Sequence, residues 1–103
     1  MAKLKTHEED CERLLGKPFT HVHKWLDEYA AKYPTQIYLE YHRKFRHTEK
    51  AIKERQFGFY DLIAAKIHII RDNELYVLKK PFDMVEIEEI DELYEKALQY
   101  CHW

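Results

Sequence analysis

Apolar residues recur at helical spacing along most of this chain. Between residues 19 and 33 they follow the i, i+3, i+4, i+7, i+11 pattern at Val22, Trp25, Leu26, Tyr29 and Tyr33. Such a stripe is typical of one face of an amphipathic helix. Pro34 should end this helix, because a proline disfavours helical backbone in the residue before it.

A second amphipathic helix is predicted directly after Pro34, with Thr35 as its cap and its end near residue 56. Its apolar stripe consists of Ile37, Tyr38, Tyr41, Phe45 and Ile52. Since only two or three residues separate the two helices, we expect an antiparallel hairpin over residues 19–56.

A short leading helix is predicted by the capping-box pair Thr6 and Glu9, and it should end near Gly16. Residues 59–72 favour another helix, with Phe59, Tyr60 and three isoleucines on its apolar face. The alternative is a β-hairpin over residues 67–78, because β-branched residues crowd positions 67–70.

Residues 74–82 are interpreted as a connector that could be extended. A last helix is predicted over about 83–101, with Asp83 as its N-cap. The predicted fold is therefore all-α: a small bundle of four main helices plus a short N-terminal helix, forming one domain over residues 1–103.

Composition supports helices, because two glycines and three prolines in 103 residues are too few for a turn-rich sandwich or barrel. The net charge of −2 does not favour binding to polyanions through bulk charge. Cys11 and Cys101 form no C-x-x-C motif, so they are expected to be free thiols. With no apolar leader or membrane span, a cytoplasmic protein is expected.

The chemistry of the sequence lies in a repeated His/Asp spacing. His23 and Asp27 lie one helical turn apart beside the apolar stripe, and His68 and Asp72 repeat the spacing. An imidazole and a carboxylate in this relation can bind one divalent metal, or the carboxylate can orient a histidine that binds it. The plain alternative is two surface pairs worth a few tenths of a kcal/mol each.

The predicted hairpin adds two further histidines to this group. His42 and Asp27 fall at similar distances from Pro34, and so do His47 and His23, with His42 the better placed of the two. Arg43 and Arg46 could hold a phosphate or carboxylate in a bidentate grip.

The ordered motifs of the chain resemble a family of short bacterial and phage proteins described as a domain of unknown function. The motifs are GKPF at 16–19, HKWLD at 23–27, HRKFRH at 42–47, ERQFG at 54–58 and AAKIHIIRD at 64–72. The family usually has Glu-Gln where this chain has Lys66 and Ile67. The resemblance implies a shared polar cluster between the helices, formed by His23, Asp27, His42, Arg43, His47, His68 and Asp72.

Three functional hypotheses follow. The first is a divalent-metal site (Zn, Mn or Fe) formed by His23, Asp27, His42 and His68, with Asp72 or His47 as base or orienting group. Arg43 and Arg46 would bind a small anionic substrate for hydrolysis. The second is a non-catalytic interaction module, expected to be a homodimer. The third is a nucleic-acid binder that uses the basic segment 43–55; neutralisation by the acidic segment 83–95 makes this the weakest.

Overall fold

The computed structural model describes residues 3–28 and 49–99. Within these ranges the chain forms six α-helices and two 3₁₀ helices, and no strand. The α-helices are α1 (Leu4–Leu15), α2 (Thr20–Leu26), α3 (Glu49–Arg55), α4 (Phe59–Asp72), α5 (Glu74–Val77) and α6 (Ile90–Leu98). The 3₁₀ helices are Phe82–Met84 and Ile87–Glu89. The all-α prediction is therefore confirmed for this part of the chain.

The helix predicted over residues 19–33 is shorter than expected, because α2 ends at Leu26 with Asp27 as its C-cap. The predicted hairpin over residues 19–56 is described only at its two ends, by α2 and α3. Its turn, with Pro34, and most of its second helix lie outside the described residues. The hairpin and the four-helix arrangement thus stay predictions.

Helix α4 lies at the centre of the described fold, where it packs against α1, α2 and α6. Its residues 67–70 are all fully buried, as expected for a helix that is surrounded by others. The β-hairpin alternative over 67–78 is wrong, because these residues form the end of α4 and the short helix α5. Burial on every side outweighs the modest preference of isoleucine for strands.

The first turn of α4 differs from the predicted apolar face. Phe59 is 72% exposed and Tyr60 is 63% exposed. Their helical spacing matched that of the core isoleucines, but the neighbouring described helices pack against the later turns. A stripe predicts which residues share a face; it does not predict how far the partner helix extends.

Helix termini also depart from the prediction. Helix α1 begins at Leu4 without a side-chain cap, although it ends at Gly16 as predicted, with φ 84° in the left-handed region. Helix α6 begins at Ile90 and not at residue 83, because the two 3₁₀ helices precede it. Glu86, and not Asp83, makes a capping box with Glu89. The connector contains the helical turn α5 instead of extended chain.

Arg13 attaches this irregular segment to α1. Its guanidinium donates hydrogen bonds of 2.9 Å to the carbonyls of Phe82 and of Val85. Phe82 is 2% exposed. The guanidinium of Arg71 on α4 lies over the Phe82 ring, 5.0 Å from the ring centroid. The 82–85 segment therefore closes the core between α1 and α4.

Cys11 is a free thiol buried in the core, and burial raises its pKa to about 12. No helix in the described ranges has the length and apolar character needed to cross a bilayer.

Candidate metal centre

Five ionisable side chains meet where α1, α2 and α4 converge. His7 comes from α1, His23 from α2, and Asp27 is the residue that ends α2. His68 and Asp72 lie one turn apart on α4. The three histidines are fully buried, which is unusual for ionisable residues and requires compensating interactions. These five residues are called the His/Asp cluster below.

His68 occupies the middle of the cluster. Its Nδ1 lies 3.0 Å from Nδ1 of His23, and its Nε2 lies 3.2 Å from Oδ1 of Asp27 and 3.3 Å from Oδ2 of Asp72. The ring of His7 stacks on that of His68, with centroids 3.6 Å apart and planes inclined by 16°. One imidazole thus contacts the other four members of the cluster.

The hydrogen bonds fix the positions of the protons. His23 Nε2 lies 3.0 Å from the carbonyl oxygen of Pro18, which can only accept, so this nitrogen donates. If His23 is neutral, its Nδ1 must accept the proton of His68 Nδ1. Since His68 Nε2 also donates to Asp27, both nitrogens of His68 carry protons and its ring is an imidazolium.

The electrostatics of the cluster agree with this assignment. Burial disfavours a charged His68, but the carboxylates of Asp72 and Asp27 overcome that effect and raise its pKa to about 9. Burial, followed by repulsion from His68 and His7, lowers the pKa of His23 to about 3. Burial and the proximity of His68 also lower the pKa of His7. At neutral pH one of the three rings is charged.

His7 is the least satisfied member of the cluster. Neither of its ring nitrogens makes a hydrogen bond with any residue in the described ranges. Its Nε2 does lie 3.2 Å from Oδ1 of Asp72, within ion-pair distance but without the geometry of a hydrogen bond. A buried N–H without a partner costs about 1–3 kcal/mol, so the position of His7 needs a physical reason.

Ring nitrogens and carboxylate oxygens of the cluster lie close enough together to hold a metal ion. One ring nitrogen from each of His7, His23 and His68 lies within 4.8 Å of the others, and Asp27, His68 and Asp72 form a second such group. The 3.0 Å between the Nδ1 atoms of His23 and His68 is close to the separation of about 3.3 Å between two nitrogens bound to one tetrahedral zinc ion.

The outer nitrogens of the imidazoles are already held in place. Nε2 of His23 faces a backbone carbonyl, and Nε2 of His68 and of His7 face carboxylates. Histidines that bind metals generally direct their other nitrogen to such an acceptor, which fixes the ring. The Nδ1 atoms of His23 and His68 share a hydrogen bond, which an ion would have to replace with release of the His68 proton.

The structure brings together four of the residues that the sequence singled out. His23, Asp27, His68 and Asp72 do come together, although Asp27 bonds to His68 across the helix interface. The other predicted site residues lie outside the described residues, and their roles stay predictions: His42, Arg43, Arg46 and His47.

Sequence reasoning missed His7. Its signal was its position within the apolar stripe of α1, between Leu4 and Cys11 at i−3 and i+4, and in line with Leu14 at i+7. A histidine in the middle of such a stripe is buried when the helix packs.

The fold and the cluster define a class, namely a small all-α protein with a buried His/Asp group able to hold a metal ion. Comparisons of the chain with family models, curated proteins and solved structures find no match. The function is therefore argued from the cluster itself.

Proposed function

We propose that this protein binds one divalent transition-metal ion through the Nδ1 atoms of His7, His23 and His68. Asp27 and Asp72 hold the Nε2 sides of the rings in place. The carrying observation is Nδ1 of His7, which has neither a hydrogen bond nor an ion pair with a described residue and is buried beside two imidazoles whose outer nitrogens already have acceptors. Binding an ion would give His7 the partner that the described residues do not provide.

The competing interpretation is a structural hydrogen-bonded network with a single imidazolium at His68. That network accounts for His23, His68 and Asp27, each of which has a hydrogen bond. It does not account for Nδ1 of His7, because an apolar side chain at that position would avoid the cost of a buried ring nitrogen that has no hydrogen bond to a described residue. The metal-site hypothesis explains all three rings.

The types of ligand limit which metal ions the cluster would bind. Three imidazoles suit zinc, iron and similar ions, whereas the second group, formed by Asp27, His68 and Asp72, would suit Mn²⁺ better. We favour the imidazole set, which gives Asp27 the orienting role that the sequence assigned to Asp72.

Hydrolysis of an anionic substrate is the finer part of the proposal. Three protein ligands leave a position open on a tetrahedral ion, and a divalent ion makes a bound water acidic enough to react near neutral pH. Asp27, with a side chain 19% exposed, is where solvent reaches the cluster. This finer proposal includes a base, which is Asp72 or His47. It also includes two residues that bind the anion, Arg43 and Arg46.

The test is a metal titration of untagged protein stripped with a chelator, with Zn²⁺, Fe²⁺ and Mn²⁺ added separately. We expect one ion per chain, and a strong loss of affinity in His68→Gln. His21→Gln is the matched control, because His21 lies on α2 but is 63% exposed and pairs with Asp61. No stoichiometric binding by the wild type, or equal losses in both variants, would refute the site.

An interaction module is the second candidate. Several large apolar side chains are exposed, among them Phe59, Tyr60, Leu75 and Met84, and such surfaces can mark association sites. A homodimer is the expected form, and light scattering that detects monomer alone would argue against it. Binding of nucleic acid by segment 43–55 stays the weakest proposal.

A further inference from the structure

A groove runs along α2 next to the His/Asp cluster. Its volume is about 840 Å³, and its walls include Leu4, Lys24, Trp25 and Arg55 together with the cluster residues His23 and Asp27. Because Asp27 belongs to both, a molecule in the groove lies against the cluster. Pockets of this size suit small organic ligands.

Arg55 is held in the groove by aromatic rings. Its guanidinium lies 5.0 Å from the ring centroid of Phe57 and 5.9 Å from that of Trp25. These two rings are themselves in edge-to-face contact, with centroids 5.3 Å apart and planes at 88°. Contacts with aromatic rings do not use the N–H groups of a guanidinium, which stay available for a bidentate partner.

The two cationic side chains of the groove have no acidic partner among the residues in 3–28 and 49–99. Neither Arg55 nor Lys24 makes an ion pair there, whereas Lys53, two residues before Arg55, pairs with Glu49 at 3.2 Å. Asp27 and Glu28 also line the groove, but both are engaged in interactions of their own. The groove thus offers an aromatic and aliphatic wall beside two cations that make no ion pair with a described residue.

We propose that this groove binds a small organic phosphate with an aromatic part, its phosphate on Arg55 and Lys24 and its ring against Trp25 and Leu4. Guanidinium and ammonium groups bind phosphate through charge-assisted hydrogen bonds. This substrate class deepens the metal-site proposal and rests on it, because only an occupied cluster would make the groove a reaction site. It adds Arg55 and Lys24 to the arginines that the sequence suggested.

Phenyl phosphate is the probe, with inorganic phosphate and phenol as its two halves, measured by calorimetry on the full chain. We expect phenyl phosphate to bind at least about tenfold more tightly than either half, and Arg55→Gln to weaken it by about tenfold or more. Lys53→Gln is the matched control on the same helix and should bind like the wild type. Both side chains are exposed, so unchanged circular dichroism is expected for both variants, with a slightly lower melting temperature for Arg55→Gln because its contacts with the two rings are lost.

The two proposals fail separately. Arg55→Gln should still bind one metal ion per chain, since Arg55 lies outside the cluster. A protein that binds metal but does not distinguish phenyl phosphate from inorganic phosphate, or binds it equally well after Arg55→Gln, overturns the groove proposal alone. A protein that binds phenyl phosphate selectively but takes up no metal ion would overturn the metal centre. The groove would then be a phosphate site and not a substrate groove.

Discussion

The buried ring of His7 contributes less to the stability of the fold than an apolar side chain would, but it can bind a ligand. It is fully buried and stacks on His68, yet neither nitrogen has a hydrogen bond to a described residue. Residues kept for ligand binding are often suboptimal for folding. If His7 is a metal ligand, the metal-free protein should tolerate its replacement by an apolar residue.

The first prediction concerns His7→Leu. In the presence of a chelator we expect its free energy of unfolding to equal that of the wild type or exceed it by about 1 kcal/mol, because a buried ring without a hydrogen bond to a described residue is removed. Metal binding should be lost. Urea denaturation checks stability, and a metal titration checks binding; a large loss of stability without metal would assign the ring a structural role.

Asp10 is a second residue whose environment has a measurable consequence. It is 5% exposed, and burial raises the pKa of its carboxyl to about 6 despite the opposing charges of Arg71 and Arg13. Its carboxylate lies 3.4 Å from Arg71 Nε. A carboxyl with a higher pKa in the folded state binds its proton more tightly in that state than in the unfolded chain. The protonated Asp10 therefore contributes its full stabilisation below about pH 4, and this contribution is lost as the pH rises through about 6.

The second prediction is that Asp10→Asn gains stability relative to the wild type as the pH rises from 4 to 6.5. The relative gain should reach roughly 1–3 kcal/mol, from a pKa shift of about two units. Urea titrations at several pH values measure the difference between the two proteins, which cancels the titration of the histidines. A difference independent of pH would contradict the assigned pKa.

At the scale of elements, the link between α1 and α2 sets how His7 faces His23. Gly16 ends α1 with φ 84°, and its backbone N–H donates a 3.0 Å hydrogen bond to the Glu12 carbonyl. Four residues later α2 begins. The left-handed conformation at Gly16 therefore determines the direction in which the chain leaves α1.

The third prediction compares two glycines. Gly16→Ala should lose about 1 kcal/mol of stability, because an L-residue is strained at positive φ although nothing lies within 4 Å of the added carbon. Gly58→Ala is the control: it has equally open space but φ −63°, so a change close to zero is expected. Equal losses of stability for the two variants in thermal denaturation would show that the left-handed conformation of Gly16 is not the cause of the loss.

Element positions followed from sequence where periodicity was strong. The helix predicted over 59–72 is present, and the one predicted over 19–33 is present as far as Leu26, because an apolar stripe must be buried against a partner. Their ends were less predictable: residues 83–89 satisfied the rules for a helix start, yet the chain forms 3₁₀ turns there. Contacts such as those of Arg13 with the carbonyls of Phe82 and Val85 select between such local alternatives.

At the scale of the whole molecule, the cluster exists only when three separate segments are packed together. Its histidines lie at positions 7, 23 and 68, on α1, α2 and α4. An unfolded chain presents no such site, so an ion that binds the native state must shift the folding equilibrium.

The fourth prediction is that metal raises the melting temperature. At an ion concentration of 100 times the dissociation constant, the stabilisation should be about 2.7 kcal/mol, or roughly 10–20 °C for a domain of this size. His7→Leu should show no such shift, whereas His21→Gln should shift like the wild type. Calorimetric melts of chelated and metal-loaded protein decide this; a shift that persists in His7→Leu would place the ion elsewhere.

The sequence by itself determined that the described chain is helical, and it marked His23, Asp27, His68 and Asp72 as pairs one turn apart. These are local properties, because helical periodicity and i,i+4 spacing depend on neighbours within a few residues. The tertiary structure alone decided that the pairs face each other, that Asp27 bonds to His68, and that His7 completes the group. Such contacts join residues 16 to 65 positions apart, and their geometry is set by how whole helices pack, which no local spacing encodes.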